Sequence, residues 1–144
     1  RNVGLMSEEK HVVRTAFDSA HQEAVQWHQD AKLAFLDSGE VDAAGESAIW
    51  RFIFVSDKIP GEGYEIEIRE SIVMNTRVIP FTATGAAFLE DLLSPEDAIR
   101  QVRQTPGFEN VEILTVEDIY GPEGKTWYWG VKTSKGVVSV KAGK

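Results

Sequence analysis

The stretch KTWYWGVKTS, Lys125 to Ser134, sets two tryptophans and a tyrosine on consecutive positions. Successive side chains of an extended chain point to opposite faces, so Trp127, Trp129 and Val131 share one face and Tyr128 stands on the other. The stretch is either an aromatic platform or the inside of a sheet, and its neighbours decide which. VEILTVEDIY precedes it across the turn GPEGK, and VVSVKAG follows across the turn KG, which makes three strand-like runs joined by short turns. Ahead of them Ser94 caps a helix. Pro95 takes the first helical position, Asp97 completes a near capping box, and Ala98, Ile99 and Val102 give the buried face before TPGFEN ends it. A helix lying on a sheet needs large apolar side chains beneath it, and one aromatic ring buries ~150–250 Å². Trp127 and Trp129 are therefore expected in the core. Tyr128, with Tyr120 on the preceding strand, is the candidate partner face.

The first half of the chain has the same order of elements. Ser7, Glu8 and Glu9 make a helix start, with a hydroxyl to cap and carboxylates near the positive end of the dipole. Val13, Phe17, Ala20, Ala24, Trp27 and Ala31 recur at helical spacing and predict a helix from about residue 8 to 30, with a break at Ser19. KLAFLDSGEV reads as a strand. In SAIWRFIFVSD, Trp50, Phe52 and Phe54 occupy one face while Ile49, Ile53 and Val55 occupy the other, so this strand is expected to be covered on both sides. IPGEG supplies a turn, and YEIEIRESI alternates Tyr64, Ile66 and Ile68 against Glu65, Glu67 and Arg69, the pattern of a half-solvated strand. Ala48–Ser56 and Tyr64–Val73 are expected to form a hairpin.

Laid side by side, the halves repeat as pattern. KLAFLDSGEV leading to WRFIFVS matches VEILTVEDIY leading to WYWGVKTS, which makes Trp50 and Trp127 equivalent, each buried on the middle strand of its unit. The expectation is an α+β fold of two helix-plus-antiparallel-sheet units in tandem sharing a core: residues 1–79, a connector over 80–93 with one or two helical turns, and residues 94–144. The second face of strand Ile49–Val55 needs cover. The candidates are the long N-terminal helix, the connector with Phe81, Phe88, Leu89, Leu92 and Leu93, and another copy of the chain; cover by the connector is preferred, which favours a monomer unfolding as one unit, and a homodimer through that face is the runner-up.

Composition narrows the chemistry. The 144 residues are 42% hydrophobic and 26% charged, ordinary for a folded domain. A net charge of -8 with pI near 4.9 repels polyphosphate, so nucleic acid and anionic membrane are not expected partners. Cysteine is absent, which excludes disulfides, thiolate metal sites and a cysteine nucleophile. No apolar run approaches the ~20 residues of a membrane helix. The chain begins at Arg1 with Met6 inside, and no signal-like apolar segment follows Arg1; a processed form is one expectation for such a start.

SPEDAIRQVRQTPGFENVEIL followed by WYWGVKTSKGVVSV resembles the PepSY-type domain, an alanine-rich helix followed by a strand, an aromatic strand and a short turn into a last strand. The tandem arrangement resembles two-unit PepSY-like proteins of cystatin-like topology, over roughly Ala20 to Val73 and Ser94 to Lys144. PepSY units commonly carry an Asp-x-x-x-Gly segment after the aromatic strand. Here only Lys135 and Gly136 stand at the second turn, while the first half has Asp57 with Gly61 and Gly63. The resemblance implies a non-catalytic binding or regulatory module without cofactor, extracytoplasmic, modulating a peptidase or another protein.

Motifs that suggest other chemistry have simpler readings. His21 and His28 lie two turns apart, roughly 10 Å along a helix, too far to clamp one metal ion, and His11 is no closer. GPEGKT ends like a phosphate loop but has Ile119 where glycine is required and leads into a strand rather than a helix. Glu117, Asp118 and Glu123 read as a solvated acidic turn without calcium-loop spacing. No nucleophile elbow surrounds a serine. Glu65 and Glu67 share a face, which strand alternation already explains. The competing function is a small-ligand protein or enzyme with a pocket between helix and curled sheet. It requires a cavity of roughly 300 Å³ or more lined by Trp27, Trp50, Phe52, Trp127 and Trp129, with His28 or Arg51 pointing in.

Overall fold

The structure, a computed structural model, describes residues 9–83, 85–86, 89–120 and 126–143, with the backbone alone for Ile119 and Tyr120. Helix α1 spans Val13–Trp27, and strands β1 to β4 span Lys32–Ser38, Ile49–Val55, Glu62–Arg69 and Ile72–Pro80. After a single 3₁₀ turn at Leu89–Asp91 come helix α2, Pro95–Arg103, and strands β5 to β7 over Ile113–Tyr120, Trp127–Thr133 and Gly136–Lys141. All seven strands join in one antiparallel sheet of order β4-β3-β2-β1-β5-β6-β7. The fold is α+β, two helices packed on one sheet, and a single core cluster runs from Val13 of α1 to Val140 of β7.

Alanines at four-residue spacing let α1 lie close to the sheet: Ala16, Ala20 and Ala24 are fully buried, with Phe17 reaching down to the rings of Phe52 and Phe54. The helix is continuous through Ser19, but it starts later and ends earlier than its periodicity suggests. His11 pairs its main chain with Ser47 in both directions, at 2.9 Å each way, so the backbone ahead of Val12 is already engaged and cannot be helical. The expected cap, Ser7, lies outside the described residues. Helix α2 follows its sequence signals: the Ser94 hydroxyl accepts from the Asp97 N–H at 3.1 Å, and Ala98, Ile99 and Val102 are buried.

Two expectations are corrected. Trp127, expected to be buried like Trp50, is not; Trp129 is. Trp50 and Trp129 are 1% and 0% exposed, whereas Trp127 is only half-buried against the core. The Trp50 indole N–H donates to the His11 carbonyl at 3.0 Å and the Trp129 N–H to the Leu93 carbonyl at 2.9 Å, and each acceptor stands two residues ahead of its helix. The second correction concerns Tyr64–Val73, which is not one strand. It is the end of β3, a two-residue turn at Glu70 and Ser71 with φ of 53° and 68°, and the start of β4. Paired positive φ is the geometry of a tight hairpin turn that usually carries Asn-Gly. Glu-Ser carries no such signal, so the extra strand was not legible.

The second face of β2 has no helix over it among the described residues. The connector contributes through Phe81: a Cβ built on Gly63 would lie 2.9 Å from both Ile53 Cγ2 and Phe81 Cβ, so glycine lets Phe81 lie across β3 against Ile53. Phe35, opposite Ile53 on β1, completes that side.

Truncation to alanine should cost about 3–5 kcal/mol at Trp50 or Trp129, and clearly less at Trp127, measured by urea unfolding; equal losses at Trp127 and Trp129 would return Trp127 to the core. Replacing Glu70-Ser71 by Asn-Gly should raise stability by about 1–2 kcal/mol by relieving left-handed backbone at two residues, and an unchanged urea midpoint would contradict the turn geometry.

Candidate functional site

Both helices lie on the same side of the sheet. Phe52, which packs under α1, pairs with Leu36, and Leu36 neighbours Asp118 across the junction of β1 and β5. Asp118 in turn pairs with Trp129, which is bonded to the segment leading into α2. The opposite side is left as an open sheet face, and strand alternation determines what it carries.

Across β5, β1, β2, β3 and β4 one rung of that face reads Glu117, Asp37, Arg51, Glu67, Asn75. Arg51 binds the Asp37 carboxylate through two nitrogens and lies 3.5 Å from Glu65. Arg77 on β4 donates to Glu65 at 2.6 Å, Asn75 to Glu67 at 3.1 Å, and Arg69 stands 3.8 Å from Glu67. The hydrogen bond to Asp37 holds Arg51 above its ordinary pKa against the partial desolvation of the site. These pairs frame a groove of about 380 Å³ lined by Arg51, Glu65, Glu67, Asn75, Thr76 and Arg77. Exposed pairs contribute little stability, so their effect is to hold the long side chains in register.

Beyond the β1–β5 junction the character of the face changes. Tyr128 is half-exposed, alternating with buried Trp129, and sits beside exposed Lys141 on β7. Gly130 and Ser139 make a low floor between that pair and the exposed pair Lys132 and Val137. Among the described residues neither lysine has an acidic partner within ion-pair distance. The other residue expected on this face, Tyr120, pairs its backbone with Trp127, and its side chain lies outside the described residues.

A second groove, about 290 Å³, lies on the helix side, lined by Arg14, Phe17, Asp18, His21, Leu33 and Leu89 among others. None of the five aromatic residues expected to line a pocket lines it. Trp50, Phe52 and Trp129 fill the core, and half-buried Trp27 stacks on Tyr64 with centroids 5.2 Å apart. His28 packs edge-on against Trp27 and Arg51 lies on the open face, while His21 stacks on Phe17 at 5.5 Å. Nothing in the histidine spacing singled out His21.

The acidic turn is also corrected. Glu117 and Asp118 are residues of β5, on opposite faces, and Asp118 is 1% exposed; Glu123 lies outside the described residues. Asp118 Oδ1 accepts from the Leu36 main-chain N–H at 2.7 Å, and Oδ2 has no hydrogen-bond partner among the described residues. Burial raises its pKa from 3.8 to about 7, against the opposing pull of the Leu36 N–H.

Matched against family models, curated proteins and solved structures, the chain gives no match. Among the described residues no helix is long and apolar enough to cross a membrane.

The pH response of stability follows from Asp118. The folded chain keeps this proton up to about pH 7, whereas the unfolded chain releases it near 3.8. Stability from this group is therefore complete below about pH 4 and falls by on the order of 4 kcal/mol as pH rises through 7. Asp118→Asn, which keeps an acceptor for Leu36, should flatten the slope between about pH 4 and 7 and leave the variant the more stable at pH 8. Parallel melting-temperature profiles for the two proteins would contradict this.

Proposed function

We propose that the chain is a non-catalytic binding module of tandem PepSY-like type, whose protein partner docks on the helix-free face of the sheet around Tyr128. The observation that carries this reading is the placement of both helices on one side, which leaves the other face of the sheet without a helix among the described residues. On that face the arginines are held by carboxylates of the same sheet, and Tyr128, Lys132 and Lys141 remain for a partner. A tyrosine beside one lysine, with a second lysine across a floor of glycine and serine, suits a flat protein surface better than a small molecule, because tyrosine offers large rigid area with a polar tip.

The tandem reading is supported by the repeated tryptophan anchor, since Trp50 and Trp129 bond main-chain carbonyls at equal distances in sequence from their helices. The halves differ by one strand: four accompany α1 and three follow α2. A peptidase is the partner class that the resemblance suggests.

Photo-crosslinking tests the site. A benzoylphenylalanine replacing Tyr128 should form a discrete adduct in the native host, while the same probe at exposed Gln22 on the outer side of α1 should not. An adduct at position 22 in place of 128 would move the site to the helices, and no adduct at 128 would end this reading.

A further inference from the structure

The exposed apolar side chains are unevenly distributed. Of the five large hydrophobics that stand exposed among the described residues, three lie on β4: Ile72 at 61%, Met74 at 51% and Val78 at 51%. This strand is the edge of the sheet, nine residues long, and no strand pairs with its outer side among the described residues. An edge that combines free main-chain groups with apolar side chains is a template for another strand, and proteins ordinarily blunt it with charge. Here the stretch IVMNTRVIP contains no Asp or Glu in a chain that has 23, and its one charge, Arg77, is bound back to Glu65.

We propose that β4 is a self-association edge, through which two copies of this chain join antiparallel into one continuous sheet. The Phe81 N–H donates to the Gly61 carbonyl, so by alternation the odd-numbered main chain near this end faces β3 while that of Thr76, Val78 and Pro80 faces outward. Pairing about a two-fold axis at Val78 sets Val78 opposite its own copy, Thr76 opposite Pro80, and Arg77 opposite Ile79. Proline still offers its carbonyl to the facing Thr76 N–H. In this register no carboxylate meets a carboxylate and Arg77 does not meet itself, so the strand is complementary to itself, as a two-fold interface requires. It also uses the stretch beyond the irregularity in pairing at Glu67 and Ile68, where strand faces are regular. The far edge differs at one end: Leu93 N–H bonds Ala142 at 2.8 Å and Leu92 bridges Gly143, so the two residues that follow β7 are occupied. That contact shortens the edge left for β4 to pair with β7 into a filament, whereas the two-fold pairing of β4 with its own copy closes at two copies.

Each copy carries -8, so long-range repulsion opposes the dimer and salt relieves it. Sedimentation velocity on the full chain, from low to high micromolar and at low and high salt, should show a monomer–dimer equilibrium that tightens with salt. Val78→Lys should weaken it at least tenfold. Hydrogen exchange on the wild type gives a reading independent of that variant's folding: the amides of Thr76 and Val78 should be protected at high concentration and lose protection on dilution. A monomer at every concentration and salt would overturn the proposal. So would a dimer whose Thr76 and Val78 amides exchange freely, because the copies would then meet elsewhere.

Discussion

The junction between β1 and β5 determines everything else in this molecule. Asp37 and Glu117 face each other there as a rung, an arrangement that repels across strands. Side chains supply much of the stitching. Leu36 N–H bonds the Asp118 carboxyl at 2.7 Å, Val116 N–H bonds the Ser38 hydroxyl at 2.9 Å, and Val41 N–H bonds the Leu114 carbonyl at 2.9 Å. Arg51, bound to Asp37, offsets the repulsion on the open side. Burial favours the protonated form of Asp118 on the other side. With these contacts two sets of strands become one sheet and one core.

From that continuity the asymmetry of the two faces follows. A sheet formed from two separate units could carry their helices on opposite sides. Here the junction sets Leu36 and Asp118 on the same side, so α1 over Phe52 and the segment entering α2 over Trp129 must share it. Each helix is tied down by an indole hydrogen bond to the chain just ahead of it, which fixes the helix start as well as satisfying a buried donor. The open face is then left to polar rungs, with Phe35, Ile53 and Phe81 closing its one apolar region. The surface proposed for a partner is thus a result of where the core formed, and the proposed self-association edge lies at right angles to it, so the two can be occupied together.

The sequence alone determined the pieces whose signals are local. Ser94, Pro95 and Asp97 define the start of α2 because a cap acts within one turn. Period-two alternation in WRFIFVS, YEIEI and TWYWGV defines strands because pleating is a property of each segment. Burial of Trp50 and Trp129 was legible because each shares a strand face with other large apolar residues, Phe52 and Phe54 for the one and Val131 for the other.

Tertiary structure decided what depends on pairing between distant segments. The later start of α1 comes from Ser47 claiming the main chain of His11. The hairpin at Glu70 and Ser71 is stabilised by the strands it joins, against the preference of its own residues for negative φ. The burial of Asp118 rather than Glu117 was invisible in an acidic run, because one step along a strand reverses the face, and only the register with Leu36 and Trp129 says which residue turns inward. The open face has the same origin. Each half predicts a helix and a sheet, but which side of the joined sheet the helices take is set by contacts 82 residues apart in sequence, between Leu36 and Asp118, and no local pattern encodes a contact at that separation.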